Sequence, residues 1–165
     1  MSAVRVRAAG AGDAAAVAAL AAALNAEEAN EGASRLTPAA VTRDFLGEHP
    51  AGLLLVAEAP DGTLIGYATA HMTYETHHAE RGLYVGDLYV APAHRRRGVG
   101  RALMAAAAAA GRARGAAHLW WTARSGNAAA HAFYRRLGGR GETVLAFACA
   151  EDRFRRLAAE GAARR

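Results

Sequence analysis

The segment Leu83–Arg101 constrains this chain more than any other part of its sequence. It reads LYVGDLYVAPAHRRRGVGR, an apolar and aromatic run followed by Pro92 and by an arginine- and glycine-rich loop. The apolar run predicts a strand, and the alanine-rich sequence after about Gly98 predicts a helix. A loop that opens a helix in this way directs backbone N–H groups and the positive end of the helix dipole toward one point. The segment therefore predicts an anion site, for which a pyrophosphate group is a natural occupant.

Two common phosphate-binding loops do not match this segment. A Walker loop requires the sequence Gly-Lys-Ser/Thr, and the chain contains no lysine. A dinucleotide-binding fingerprint requires a third glycine where this chain has Leu103, and no acidic residue follows at the expected distance. Both nucleotide-binding classes are therefore excluded.

The rest of the chain alternates between patterns typical of strands and patterns typical of helices, with no linker or repeat. Helix starts are indicated by the capping residues Asp13 and Thr37, the second of which is followed by a proline. The predicted strands are Val4–Ala8, Leu53–Ala59, Leu64–Thr73, Leu83–Val90, His118–Thr122 and Thr143–Ala148. The predicted helices are Asp13–Asn30, Thr37–Leu46, Gly98–Arg114, Asn127–Leu137 and Glu151–Ala159. We therefore predict one α/β domain over residues 1–165, with a mixed central sheet flanked by helices.

The charge distribution favours an anionic cofactor. The chain has 20 Lys+Arg against 15 Asp+Glu, a net charge of +5, and such a surplus favours nucleic acid, a membrane surface or a phosphorylated cofactor. The basic residues cluster around two glycines, at Arg95, Arg96, Arg97 and Arg101. A separate acidic patch consists of Glu27, Glu28 and Glu31. A basic site with an acidic site elsewhere suggests an anionic cofactor and a cationic substrate.

Cysteine content and hydropathy exclude other classes. The single cysteine, Cys149, excludes an internal disulfide and a multi-cysteine metal site, so no metal is expected. No apolar stretch has the length of a membrane span, and residues 1–7 contain no signal-peptide core. We expect a cytoplasmic protein without a membrane partner.

Two motifs resemble those of the GNAT superfamily of acyl-CoA-dependent N-acyltransferases. The run Arg95–Gly100 is similar to the family signature Arg/Gln-x-x-Gly-x-Gly/Ala, which follows a strand. Farther along the chain, Asn127, the pair Phe133-Tyr134 and Gly138 have the family's spacing of Asn, Phe-Tyr and Gly. The resemblance implies the acyl-CoA N-acyltransferase fold, acetyl-CoA as co-substrate, and transfer of its acetyl group to a primary amine of a small molecule in a ternary complex.

The resemblance also implies which residues bind the co-substrate. The amides from Arg96 to Arg101 would hold the CoA pyrophosphate, while the arginine side chains reach its 3′-phosphate or remain in solvent. The strand that precedes the loop would present backbone groups to the pantetheine arm, and one of its N–H groups would polarise the thioester carbonyl. Gly86 either marks a bulge in this strand or has no special role. The implied cofactor-binding residues are Leu88, Tyr89, Val90, Arg95, Arg96, Arg97, Gly98, Val99, Gly100, Arg101 and Asn127.

Tyr134 and Asp87 are the predicted catalytic residues. A phenol with a pKa of about 10 can protonate a departing thiolate, which favours Tyr134 as general acid, although a tyrosine packed in the core is the alternative. An amine with a pKa of about 10 must lose a proton before it attacks. Asp87 is the first choice of acceptor because it lies on the central strand. Further candidates are Glu75, His71, His77 and His78.

Candidates for acceptor binding are Glu27 and Glu28, which would attract a cation, and Tyr74, which would line the pocket. For the glutamates the alternative is an exposed helix end, and for Tyr74 it is an aromatic residue at the end of a strand without this role. Asn127 either caps its helix or binds the pantetheine arm, or does both. Tyr67 is predicted to be a core residue only.

Within the superfamily, the runs Leu83–Val90 and Phe147–Leu157 look most like those of the diamine and polyamine (spermidine/spermine) acetyltransferases. Those enzymes usually carry a glutamate immediately before the aspartate that corresponds to Asp87, where this chain has Gly86. The relatives commonly form homodimers, which edge strands near Leu145 could mediate.

Three other functions are compatible with the same residues. These are acetylation of a peptide or protein, binding of CoA without catalysis, and binding of nucleic acid through the arginine cluster. Nucleic-acid binding is disfavoured because the aromatic residues beside the cluster, Tyr84 and Tyr89, belong to a predicted strand instead of being interleaved with the basic residues.

Overall fold

The computed structural model describes residues 4–28 and 32–163. The strands are β1 (Arg5–Ala8), β2 (Leu53–Glu58), β3 (Leu64–Glu75), β4 (Glu80–Val90) and β5 (Ala116–Trp121). The helices are α1 (Ala14–Glu27), α2 (Pro38–Phe45), α3 (Val99–Arg112), α4 (Ala128–Arg136) and α5 (Glu151–Ala162). The described residues form two compact units. The sheet unit, Met1–Arg124, contains β1–β5 and α1–α3, and the helical unit, Ser125–Arg165, contains α4 and α5.

The sheet has the strand order β1-β2-β3-β4-β5. Neighbouring strands from β1 to β4 are antiparallel, whereas β4 and β5 are parallel. A parallel pair needs a long crossover connection, and here α3 supplies it. The mixed central sheet flanked by helices is therefore confirmed.

Helices pack on both faces of the sheet because its strands alternate side chains between the two faces. On one face, Val17 of α1 and Val41 of α2 pack in one buried cluster with Val56 and Tyr67 of the sheet. On the other face, a Cβ on Gly66 would lie 3.4 Å from Cδ1 of Leu103 in α3. Between them, the two helical layers bury both faces of β2 and of the first half of β3.

The two predicted helix caps have different outcomes. The hydroxyl of Thr37 accepts a hydrogen bond from the N–H of Ala40 (3.2 Å), which confirms the cap of α2. Asp13 is the N-cap residue of α1, as predicted, but its side chain makes no capping bond to the helix. Its carboxylate instead accepts bonds from the N–H of Gly10 (2.7 Å) and from the guanidinium of Arg7 (2.6 Å). The Asp13 carboxylate therefore joins β1 to the turn before α1.

The predicted strand Thr143–Ala148 is also wrong. Residues 139–150 contain neither helix nor strand, and Leu145 and Phe147 are 82% and 91% exposed. A strand forms only when a neighbouring backbone hydrogen-bonds to its N–H and C=O groups. An apolar, β-branched composition alone does not supply that neighbour.

In the part of the chain that the structure describes, no helix is long and apolar enough to cross a membrane.

Candidate active site

Strand β4 contains a β-bulge at its centre. Ala68 of β3 lies opposite Leu88, and Ala70 lies opposite Val85, so that the single residue Thr69 faces both Gly86 and Asp87. The predicted bulge at Gly86 is confirmed. A side chain at this position would be crowded, because a Cβ on Gly86 would lie 3.0 Å from the hydroxyl oxygen of Thr69. At this bulge Asp87 contacts Tyr67 and Thr69 of β3.

Asp87 is held by two hydroxyl groups of β3. The O–H of Tyr67 donates to its Oδ2 (3.3 Å), and its own N–H donates to Oγ1 of Thr69 (2.9 Å). Burial raises the pKa of the carboxyl above its ordinary value of 3.8, as does the negative charge of Glu28, while hydrogen bonds from Tyr67 and Thr69 oppose the rise. The result is a partly buried carboxyl whose conjugate base is a stronger proton acceptor than that of an exposed aspartate.

Tyr67 is a buried hydrogen-bond donor to this carboxylate. Its side chain is 1% exposed, and both burial and the neighbouring charge of Asp87 raise its pKa well above the usual range. The phenol therefore stays protonated and donates at any physiological pH. The sequence predicts Tyr67 as a core residue, which is confirmed, but nothing in the sequence indicates its contact with Asp87.

The two described glutamates at the end of α1 have different surroundings. Glu27 accepts two hydrogen bonds from Arg95 (both 2.7 Å) and one from the phenol of Tyr89 (3.2 Å). Glu28 acts electrostatically on Asp87 and lies 3.8 Å from Arg124. Both glutamates are therefore paired with an arginine, Glu27 with Arg95 and Glu28 with Arg124, and Glu28 still adds negative charge that raises the pKa of Asp87. The third predicted member of this patch, Glu31, lies outside the described residues.

Arg95 connects the end of β4 with α1. Besides its bonds to Glu27, its Nε donates to the carbonyl of Val90 (2.7 Å), and its guanidinium lies 5.5 Å from the ring centre of Tyr89. Burial and the charge of Glu27 raise the pKa of Tyr89, and Arg95 lowers it. This arginine therefore fixes the start of the loop, and its charge is less available to a phosphate than those of its neighbours.

The loop after Arg95 has the geometry of an anion site. Arg96 and Gly98 have φ angles of 62° and 85°, in the left-handed region, and α3 begins at Val99. Left-handed residues before a helix turn successive N–H groups toward one side, and the first-turn amides of a helix have no intrahelical partner. Nothing lies within 4 Å of the position of a Cβ on Gly98. With the exposed side chains of Arg96 and Arg97, the loop fits a pyrophosphate group.

The same strand has a free edge between the bulge and the loop. Strand β5 pairs with β4 only as far as Val85 and Trp121, although β4 continues to Val90. In the described part of the chain, no strand pairs with this edge of residues 86–90. An amide-bearing chain such as pantetheine can form strand-like hydrogen bonds there.

Tyr74 is not brought to this site. It lies five residues beyond Thr69 on β3, about 17 Å along an extended strand, and is 61% exposed.

Glu75 accepts bonds from the N–H groups of His77 (2.7 Å) and His78 (2.9 Å), which closes the turn between β3 and β4. His71 packs on the ring of Tyr84, with centres 5.2 Å apart. These side chains have structural contacts of their own.

The helical unit carries the second motif. Oδ1 of Asn127 accepts a hydrogen bond from the N–H of Ala130 (3.0 Å), which confirms it as the cap of α4. Tyr134 is partly buried, and its ring centre lies 5.2 Å from that of Phe133. Cys149 is exposed.

The chain was compared with known families and proteins. Residues 18–139 match the acetyltransferase (GNAT) family. Over 92 residues the chain is 41% identical to streptothricin acetyltransferase of Streptomyces lavendulae, a match that covers 56% of this chain and 47% of that enzyme. The chain thus spans about half the length of this curated relative.

Solved structures show the same fold. An integron cassette protein from the mobile metagenome of V. cholerae is 20% identical, with a TM-score of 0.77 over 96% of this chain and 99% of the other. An aminoglycoside acetyltransferase from an uncultured soil metagenomic sample, solved in complex with sisomicin, is 16% identical, with a TM-score of 0.74 over 90% of this chain and 97% of the other.

Proposed function

Because the chain belongs to the acetyltransferase (GNAT) family, we propose that it transfers the acetyl group of acetyl-CoA to an amine of a small molecule. The observation that carries this proposal is the content of the single segment Gly86–Arg101. It supplies a partly buried carboxylate, a free strand edge and an anion-binding loop in that order along the chain. These are a proton acceptor, a surface for an amide-bearing arm and a cradle for its phosphates.

Binding of the co-substrate is assigned to the loop and the strand edge. The backbone N–H groups of residues 96–101 would hold the pyrophosphate, with Arg96, Arg97 and Arg101 adding positive charge. The backbone of Leu88–Val90 would hydrogen-bond the pantetheine arm, and one N–H of this edge would polarise the thioester carbonyl. When bound, acetyl-CoA supplies the activated acetyl group.

The chemistry needs one proton acceptor and one proton donor. Asp87 takes a proton from the ammonium form of the acceptor, which frees the nitrogen lone pair. The nitrogen forms a bond to the acetyl carbonyl carbon, and the C–S bond breaks. The sulfur leaves with the electron pair and receives a proton, which the second motif assigns to the phenol of Tyr134. The nitrogen loses its second proton as the amide forms, and this proton restores the phenol through solvent. The products are an N-acetylated amine, CoA thiol and the one proton taken by Asp87, which passes to solvent.

The acceptor class is proposed from the charges near Asp87. Glu28 and Asp87 together favour a cationic amine. Polyamine acetyltransferases usually carry a glutamate where this chain has Gly86. In this chain, the Cβ of a glutamate at position 86 would be crowded by the Thr69 hydroxyl. Two of the proteins named above are a streptothricin acetyltransferase and an aminoglycoside acetyltransferase. Streptothricin and aminoglycosides therefore belong beside diamines and polyamines among the acceptors to test.

Asp87→Asn tests the proposal directly. The acceptors to test are streptothricin, aminoglycosides, polyamines and short peptides. We expect the wild-type protein to release free thiol from acetyl-CoA only when an amine acceptor is present. Asp87→Asn should lower kcat by about 100-fold or more, since general-base catalysis contributes that much. Tyr134→Phe should lower kcat as well. Binding of CoA, measured by calorimetry, should be unchanged in both variants.

Two outcomes would contradict the proposal. Turnover with peptides alone would move the function to a peptide or protein acetyltransferase. Binding of CoA without turnover on any acceptor would favour a CoA-binding protein without catalysis.

A further inference from the structure

We propose that Thr69 is a positioning residue that fixes Asp87 at the β4 bulge for proton transfer. The inference rests on the proposed function, in which Asp87 is the proton acceptor. Thr69 belongs to neither motif, and its position opposite the bulge is known only from the strand register.

The hydroxyl of Thr69 holds the backbone of Asp87 at the bulge. Its Oγ1 accepts the backbone N–H of Asp87 at 2.9 Å, and the hydroxyl also lowers the pKa of the Asp87 carboxyl. A hydroxyl that accepts from a backbone N–H still has its own O–H to stabilise a nearby carboxylate. At a bulge, the extra residue has no ladder partner, so the Thr69 hydroxyl takes the place of a backbone acceptor.

Gly86 provides the space that this hydroxyl needs. A Cβ on Gly86 would lie 3.0 Å from Oγ1 of Thr69, closer than side-chain atoms normally approach. Gly86 has no left-handed φ angle that would require glycine. The close approach of the hydroxyl is therefore the reason for glycine at this position, and the two residues act as a pair.

The charged and titratable groups that act on Asp87 come from two neighbouring elements. Tyr67 of β3 donates a hydrogen bond to the carboxylate, and Glu28 at the end of α1 adds negative charge. Removing the Thr69 hydroxyl leaves both groups in place, releases the backbone N–H of Asp87 and removes a hydroxyl that favours the ionised carboxylate. The pKa of Asp87 should therefore rise.

A titration of the Asp87 carboxyl tests the inference without substrate. The carboxyl carbon is followed by ¹³C NMR in the full chain and assigned by its absence in Asp87→Asn. Thr69→Val keeps the shape of the side chain without the hydroxyl, and Thr69→Ser keeps the hydroxyl. We expect the pKa of Asp87 to rise by about one in Thr69→Val and to stay at the wild-type value in Thr69→Ser.

The matched control is Thr73→Val on the same strand. The hydroxyl of Thr73 accepts a bond from Nε1 of Trp120 (3.1 Å) and makes none to Asp87. This variant should leave the titration unchanged. Equal pKa values of Asp87 in wild type and Thr69→Val would overturn the proposal, and so would equal shifts in Thr69→Val and Thr73→Val. Thr69→Ala replaces Thr69→Val if the valine variant does not fold.

Turnover separates this inference from the proposed function. Thr69→Val should lower kcat about ten-fold, leave the KM for acetyl-CoA unchanged and move the acidic limb of the kcat profile to higher pH, and Thr69→Ser should restore all three. If the wild-type chain turns over no amine, the proposed function fails while the titration still measures the contact. If the pKa of Asp87 shifts in Thr69→Val but the wild-type chain turns over no amine, the role of Thr69 in proton transfer is overturned.

The pairing with Gly86 has a test of its own. Gly86→Ala should lower kcat in the wild-type background, where the new Cβ meets the hydroxyl, and should have little further effect in Thr69→Ala. Effects that simply multiply in the double variant would show that the two positions are independent, against the proposal.

Discussion

Asp13 and Asp87 are two carboxylates of the sheet unit whose pKa values change in opposite directions. Asp13 accepts bonds from the guanidinium of Arg7 and from the N–H of Gly10, and the hydrogen bond from Arg7 holds its pKa below the ordinary value. Burial raises the pKa of Asp87. Ionisation of Asp13 therefore stabilises the fold, whereas ionisation of Asp87 works against it.

Asp13→Asn should lower the free energy of unfolding by about 2 kcal/mol at pH 7, as expected for hydrogen bonds to a charged group. Because the pKa of Asp13 is lower in the folded chain, its contribution is complete above the unfolded-state pKa of about 3.9 and is lost as the pH falls through the folded-state pKa. Urea unfolding followed by tryptophan fluorescence measures the difference. The same difference at pH 7 and well below pH 4 would contradict this account.

Asp87→Asn should have the opposite effect on stability. Since the pKa of Asp87 is raised in the folded chain, the folded state is disfavoured by the charge at pH 7, and removal of the charge should leave the free energy of unfolding unchanged or higher. The same urea experiment checks this. A large loss of stability would mean that the inactivity expected of this variant could not be assigned to proton transfer.

Among the elements, the start of α3 separates two glycines with different roles. Gly98 has a φ angle of 85° and precedes the helix, while Gly100 lies in its first turn. An alanine is strained at Gly98 but favoured within a helix by about 0.5–1 kcal/mol. Both glycines belong to the loop proposed above to hold the phosphates, where an added methyl group would hinder close approach to the backbone.

Gly98→Ala and Gly100→Ala should therefore differ in stability and agree in binding. We expect Gly98→Ala to lower the free energy of unfolding by about 1 kcal/mol and Gly100→Ala to raise it by about 0.5 kcal/mol. Both should weaken binding of CoA. Urea unfolding and calorimetry measure the two effects. Unchanged binding of CoA in both variants would place the phosphates elsewhere.

The elements also show which features the sequence could predict. The strand and loop of Leu83–Arg101 are local patterns, and both are confirmed, as is the bulge at Gly86. Tyr67 and Thr69 could not be connected with Asp87, because that requires the register between β3 and β4, which no local pattern contains. The strand predicted at 143–148 failed for the related reason that its partner is not a property of its own residues.

At the scale of the whole molecule, opposite charges are separated along one strand. Asp87 lies at the bulge, where the negative charge of Glu28 acts on it, and the loop with the exposed Arg96 and Arg97 follows the end of β4. Asp87 and Val90 are three residues apart, about 10 Å in an extended strand. An anionic co-substrate and a cationic acceptor can therefore bind beside each other, each near charges of the opposite sign.

This separation predicts how salt changes the kinetics. The net charge of +5 and the exposed arginines should attract the phosphates of acetyl-CoA. Raising the ionic strength from about 0.01 M to about 1 M shortens the Debye length from about 30 Å to about 3 Å, so the KM for acetyl-CoA should rise by roughly ten-fold. Arg97→Ala should reduce this dependence, because one of the attracting charges is removed.

Acetylpantetheine, which has the same thioester but no phosphate group, is the matched co-substrate. Its KM should be higher and nearly independent of salt, since only the strand edge would hold it. If both co-substrates showed the same salt dependence, the arginines would not act on the phosphates. The salt dependence would then come from binding of the acceptor near Glu28 and Asp87. Kinetics measured with saturating acetyl-CoA at each salt concentration would show this as a change in the KM for the acceptor alone.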